Sequence, residues 1–124
     1  MRAIICLTAA LALGAWSSQA GAKPFQINST SWAFVDQGKK VHETIDADGN
    51  YIENAVSGKH VDHGTAVMKG KKACFTSAMT KEGELCWTTT RSAIKVGHSF
   101  VTRSDKGRKL KVTRIAYVKL EMPK

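Results

Sequence analysis

Cys74 and Cys86 lie twelve residues apart, each inside a short apolar run, KACF and LCWT. Polar turn residues bound both runs, which is the pattern of strands. In a hairpin with Cys74 opposite Cys86, Phe75 faces Leu85 and Ala73 faces Trp87. Side chains alternate between the two faces of a strand. Ala73, Phe75, Leu85 and Trp87 then share an apolar face; Cys74, Cys86, Lys72, Thr76, Glu84 and Thr88 share the other. One register thus makes a coherent core face and brings two thiols within disulfide reach, about 4.4–6.8 Å between Cα atoms. Closing so short a loop contributes roughly 3 kcal/mol in the chain-entropy model. The pair has no CxxC and no Cys/His cluster at zinc spacing, so no metal site is expected.

A disulfide belongs to an oxidising compartment, and the N-terminus agrees. Residues 1–22 read as a targeting segment, with Arg2 before the apolar run AIICLTAALALGA and small-residue cleavage sites after Ala20 and Ala22. The run is too short to span a bilayer. Cys6 lies within it and is lost on cleavage after Ala22. Residues 23–124 then form one small domain, expected to fill its interior with side chains. The expected location is the periplasm or the outside of a bacterial cell.

Turn chemistry divides the domain into about eight short strands. FQINSTSWAFVD is a first strand with Trp32 and Phe34 on one face. Asp48-Gly49 is a two-residue turn signal; centred there, it pairs Ile45 with Ile52 and Val41 with Val56 on one face. His42, Thr44 and Asp46 fall on the other, with Tyr51, Glu53 and Ala55. A two-residue turn at Lys69-Gly70 sets Ala66 against Ala73, Asp62 inward and His63 outward; a one-residue change in loop length reverses this. Ser92–Val96 has room for a turn of helix. Asp105-Lys106-Gly107 fits a three-residue hairpin loop, pairing Phe100 with Val112 and Thr102 with Leu110. Arg114 then falls on the Val112 face, and a β-bulge near Thr113–Arg114 would restore alternation. The fold expected is all-β, an antiparallel up-and-down meander closed as a small barrel or folded as a sandwich. Trp32, Phe34, Phe75, Trp87, Phe100 and Val112 are its inner residues, as core or as the wall of an apolar-ligand site.

Charge is uneven. The chain carries +9, and +8 without Arg2. Residues 23–90 balance eight basic against eight acidic residues, so the excess lies in residues 91–124. Arg103, Lys109, Lys111 and Arg114 are the candidate anion-binding residues, with an anionic envelope lipid or polymer as the partner. Such a cluster with Phe100 and Tyr117 also suits single-stranded nucleic acid, but export argues against nucleic acid as partner. A basic sheet edge that resists edge-to-edge pairing is the plainer reading.

Catalytic signals are sparse. There is no G-x-S-x-G, P-loop or HExxH, and no cofactor or catalytic residue is assigned. His60, Asp62 and His63 are the polar constellation a hydrolase or metal enzyme would use. A regular strand sends His60 and His63 to opposite faces, so only a broken strand brings them together. DADGN places Asp46, Asp48 and Asn50 at EF-hand positions, but Tyr51 stands where Gly is required and Ser57 where Glu is.

The Trp-bearing first strand, Glu43-Thr44-Ile45-Asp46 leading to Tyr51, DHGTAVMK (Asp62–Lys69), CFTSAM (Cys74–Met79) and CWTT (Cys86–Thr89) together resemble small secreted proteins of alphaproteobacteria. The strand order also looks like a lipocalin-type barrel. The resemblance covers most of residues 23–124 and implies an exported single domain, with no activity attached.

Overall fold

The computed structural model describes residues 23–123. The expected targeting segment lies outside them. Eight strands follow in order: β1 (Thr30–Asp36), β2 (Lys39–Ile45), β3 (Asn50–Ala55), β4 (His60–Lys69), β5 (Lys72–Ser77), β6 (Glu84–Thr88), β7 (Ser99–Arg103) and β8 (Lys109–Ile115). They form one antiparallel sheet in the order β6-β5-β4-β3-β2-β1-β8-β7. The first and last strands pair, with Trp32 opposite Arg114 and Phe34 opposite Val112. The sheet therefore curls into a nearly closed up-and-down barrel whose seam falls between β6 and β7. That seam is one bridge, Trp87 with Ser104, reinforced by Asp105 N donating to Cys86 O at 3.0 Å. Thr88 stitches it further: its carbonyl accepts from Thr102 Oγ1 at 2.7 Å and its hydroxyl from Arg103 N at 3.0 Å.

The β5–β6 register is the one that the cysteines dictate: Cys74 opposite Cys86, Phe75 opposite Leu85 and Ala73 opposite Trp87. The disulfide is formed. The β7–β8 register also agrees with the turn chemistry, with Phe100 opposite Val112 and Gly107 at φ 82° closing the loop.

Other expectations fail in instructive ways. At the β2–β3 turn Ile45 pairs with Tyr51 and Val41 with Ala55, one residue away from the two-residue reading. Asp46 is the cause. Its Oδ1 accepts from both Asp48 N and Asn50 N at 2.9 Å. Asp46 N also donates to Asn50 O at 2.9 Å. Ala47, Asp48 and Gly49 thereby become a three-residue loop, with Gly49 at φ 85°. This loop type puts Gly in the left-handed position. A one-residue slip exchanges the two faces of a strand, so Tyr51, Glu53 and Ala55 turn inward and Ile52 and Val56 do not. At the next turn Lys69 pairs with Lys72 and Ala66 with Phe75. The shift from the expected register is two residues, which preserves the faces and leaves Asp62 inward. No bulge repairs Thr113–Arg114: both β1–β8 and β7–β8 pair without a break there.

Among the described residues there is no helix. The stretch Ser92–Val96 instead meets the N-terminal segment. Pro24 bridges Ser92, Phe25 N donates to Arg91 O at 3.3 Å and Ala93 N to Lys23 O at 2.9 Å. This lays Phe25 and Ile27 across one end of the barrel, where Phe25 stacks on Trp32 and both meet Phe100 edge-on, all with centroids 5.8–5.9 Å apart. That end is closed by an aromatic plug. Outside, the chain after β8 crosses β1, β2 and β3. Val118 N donates to Ser31 Oγ at 3.0 Å and Asn54 Nδ2 to Glu121 O at 3.2 Å. The crossing explains why the outward hydroxyls of Ser31 and Thr44 are buried.

Candidate functional site

Above the aromatic plug the barrel is hollow. A cavity of about 450 Å³ runs from Phe25 and Trp32 to the turns at the opposite end, Met79–Gly83 and Arg108. The interior is thus not filled by side chains. All six inner candidates, Trp32, Phe34, Phe75, Trp87, Phe100 and Val112, line it. Tyr51 packs edge-on against Phe75 at 5.2 Å.

The wall is not uniformly apolar. Glu43 is directly opposite Glu53, and Glu53 directly opposite Asp62. Three carboxyls therefore stand in one row across β2, β3 and β4, all facing the cavity. Like charges placed opposite each other destabilise a sheet. Asp62 is compensated, accepting from Tyr51 Oη at 2.8 Å and from Ser77 Oγ at 2.6 Å. Burial first, then the bond to Asp62 and that carboxylate's charge, keep the Tyr51 phenol protonated far above its ordinary range, against an opposing pull from Ser77. Glu43, only 7% exposed, has no such donors. Burial first, then the charge of Glu53 and the hydrogen bond shared with it, hold Glu43 well above its ordinary value of 4.5. Glu53 is raised as well, chiefly by burial, against the opposing pull of its bond to Glu43 and of Arg108. At the mouth Arg108 joins Asp36 at 2.5 Å and lies 5.8 Å from the centre of the Trp87 ring.

The row has a consequence for stability. A carboxyl with a raised folded pKa binds its proton more tightly folded than unfolded, so its contribution falls as pH rises from about 4.5 through the folded value. Wild-type stability is expected to decline as pH rises above about 4.5, the ordinary carboxyl value. Glu43→Gln should flatten that decline and be the more stable of the two proteins at the alkaline end. Urea unfolding at a series of pH values checks this; parallel profiles for the two proteins would remove the effect.

The histidines lie elsewhere. Between Glu53 and Asn54 the β3–β4 register shifts, so Asn54 pairs with His60 and Val61 is the extra residue. This bulge brings His60 and His63 to one face, contrary to regular alternation, with His60 Nε2 3.0 Å from His63 Nδ1 and His60 Nδ1 2.7 Å from Asn54 Oδ1. Asp62 points the opposite way, into the barrel. The three residues do not converge, and a hydrolase built on them loses its geometry. Among the described residues, the close trio of potential metal-ligand atoms is Cys74, Glu84 and Cys86, whose sulfurs are spent in the disulfide.

Of the candidate anion-binding residues, Arg103, Lys109 and Lys111 are exposed and none of the three has a carboxylate partner among the described residues. Arg114 is different. It sits on the inward face opposite Trp32 and donates to Ile94 O at 2.6 Å.

Sequence reasoning missed Glu43, Glu53, Tyr51 and Ser77 as interior groups. One signal was present: Val41-Glu43-Ile45 places an acid at the middle position of an apolar face. No family model, no curated protein and no solved structure matches the chain.

Proposed function

We propose that this is an exported binding protein that encloses a small, largely apolar ligand inside its barrel. The carrying observation is the hollow, aromatic-lined interior, sealed at one end and open at the other. Eight-stranded barrels of this size either fill with side chains or hold one small ligand. Several hundred cubic ångströms is the range of small-molecule sites. The disulfide supports export, as does the composition of residues 1–22.

The test is a neutral apolar dye, N-phenyl-1-naphthylamine, followed by its fluorescence gain and by quenching of the tryptophans. Wild type is expected to bind it at micromolar concentration. Leu85→Trp, which fills cavity space, should abolish binding while changing stability by less than about 1 kcal/mol. In a packed core the same enlargement costs about 1–3 kcal/mol, so loss of stability without dye uptake by wild type would refute the reading.

One observation favours a surface role beside the interior one. Arg103 pairs with Lys109, and Val101, 63% exposed, pairs with Lys111. Like charges set together around an exposed apolar residue suit an anionic surface. Arg103→Ser/Lys109→Ser/Lys111→Ser should lose most binding to vesicles rich in phosphatidylglycerol at low salt. Binding that survives this triple change would locate the contact elsewhere.

A further inference from the structure

The carboxyl row faces a space meant, on the reading above, for a ligand, and its chemistry narrows what that ligand is. We propose that the ligand carries a basic nitrogen, a protonated amine or a quaternary ammonium, on an apolar body, with the nitrogen seated at Glu43 and Glu53 and the body against Trp32 and Phe75. This inference rests on the interior-binding reading and specifies its ligand class.

Five observations carry it. Glu43 is more than nine-tenths buried, lines the cavity and receives no hydrogen bond from any N–H among the described residues. Its neighbour across the sheet is Glu53, a second carboxyl. The hydrogen bond that Glu43 and Glu53 share requires a proton on one of two adjacent acids, and a cation supplied from the cavity can take that proton's place and offset both charges. The row is too extended for a single metal ion: Glu43, Glu53 and Asp62 do not bring one ligand atom each within 4.8 Å of one another. Both Asp62 oxygens already accept hydroxyl hydrogen bonds. Aromatic faces beside carboxyls are the usual surroundings of organic cations. The protein displays this preference itself: at the mouth, the Arg108 guanidinium bonds Asp36 and lies beside the Trp87 ring.

Net charge sharpens the test. The chain is strongly basic, so its overall field favours an anionic probe. Preference for a cation must come from the local acids.

The experiment compares four probes below their micellar concentrations: decyltrimethylammonium, decylamine, decanol and decanoate, each displacing the naphthylamine dye. The expected result is that the two cations displace dye at least tenfold better than decanol, with decanoate weakest. Glu43→Gln/Glu53→Gln should erase that preference, so that the two cations displace dye no better than decanol does, and cooperative urea unfolding of the double variant shows that it is folded. Decyltrimethylammonium keeps its charge at every pH, so its affinity for wild type should rise as pH rises above the ordinary carboxyl range and the row ionises, and the double variant should show no rise. Equal displacement by all four probes, or preference for decanoate, overturns the proposal and leaves the cavity reading intact. A cation preference that persists in the double variant also overturns it. Failure of the dye and of every probe to bind wild type removes the interior-binding reading itself.

Discussion

Trp32→Ala is expected to cost about 3 kcal/mol, the low end of the range for truncating a buried aromatic, because part of the ring borders the cavity. Trp32 is 5% exposed and is the hub of the plug, touching both Phe25 and Phe100. It is also anchored by a hydrogen bond, donating from Nε1 to Thr30 Oγ1 at 2.8 Å. The ring ties the segment before β1 to β7 across the barrel base, so its loss leaves the N-terminal residues without their main apolar contact. Trp32→Phe should recover most of the packing but leave Thr30 Oγ1 without its donor, for a net loss of about 1–2 kcal/mol. Urea unfolding of the three proteins orders them. Equal stability of Trp32→Ala and wild type would mean that the plug does not hold the barrel.

Replacing both cysteines, as Cys74→Ala/Cys86→Ala, is expected to cost about 3 kcal/mol and to lower the melting temperature by roughly 12–24 °C. The mechanism lies mainly in the unfolded chain, whose loop between the two cysteines is no longer closed. The structure adds a local reason. β6 has full strand pairing only on its β5 side and meets β7 through the sparse Thr88 and Trp87 contacts. Without the disulfide this strand should open first. Hydrogen exchange should therefore quicken at Glu84–Thr88 before it quickens at β2 or β3. Uniform exchange across the sheet would place the bond's effect elsewhere.

The two hairpins whose registers were legible share a property. In β5–β6 the thiols and the apolar alternation demand one register together. In β7–β8 a Gly-bearing loop and the alternation of Phe100, Thr102, Leu110 and Val112 agree. At β2–β3 the dipeptide Asp48-Gly49 suggested a two-residue turn, while the Asp46 carboxylate, two residues earlier, decided the loop. That local hydrogen bonding reversed the faces of β3. The carboxyl row was hidden for the same reason. Its members come from three strands, and they converge only once the β2–β3 slip and the bulge at Val61 are known. Histidine spacing misled in parallel, since the same bulge unites His60 with His63 and parts them from Asp62. The antiparallel meander was legible as a class, from strand number and turn spacing, with barrel and sandwich both open. The weak β6–β7 seam was not, because it depends on Thr88 side-chain bonds between strands joined by a long irregular connection.

The resulting molecule separates its charges. Acids line the hollow interior, while Arg103, Lys109 and Lys111 stand outside. An overall basic protein thus has an acid-lined, aromatic-walled interior. Arg108 at the mouth reaches from the rim to Asp36.

A native mass spectrum of the protein isolated from the cells that make it tests the central claim most directly. The expected spectrum shows an oxidised chain, two hydrogens lighter than the dithiol form, carrying a noncovalent adduct of defined mass that is released on unfolding. A bare oxidised chain that also fails to take up the neutral dye would contradict it.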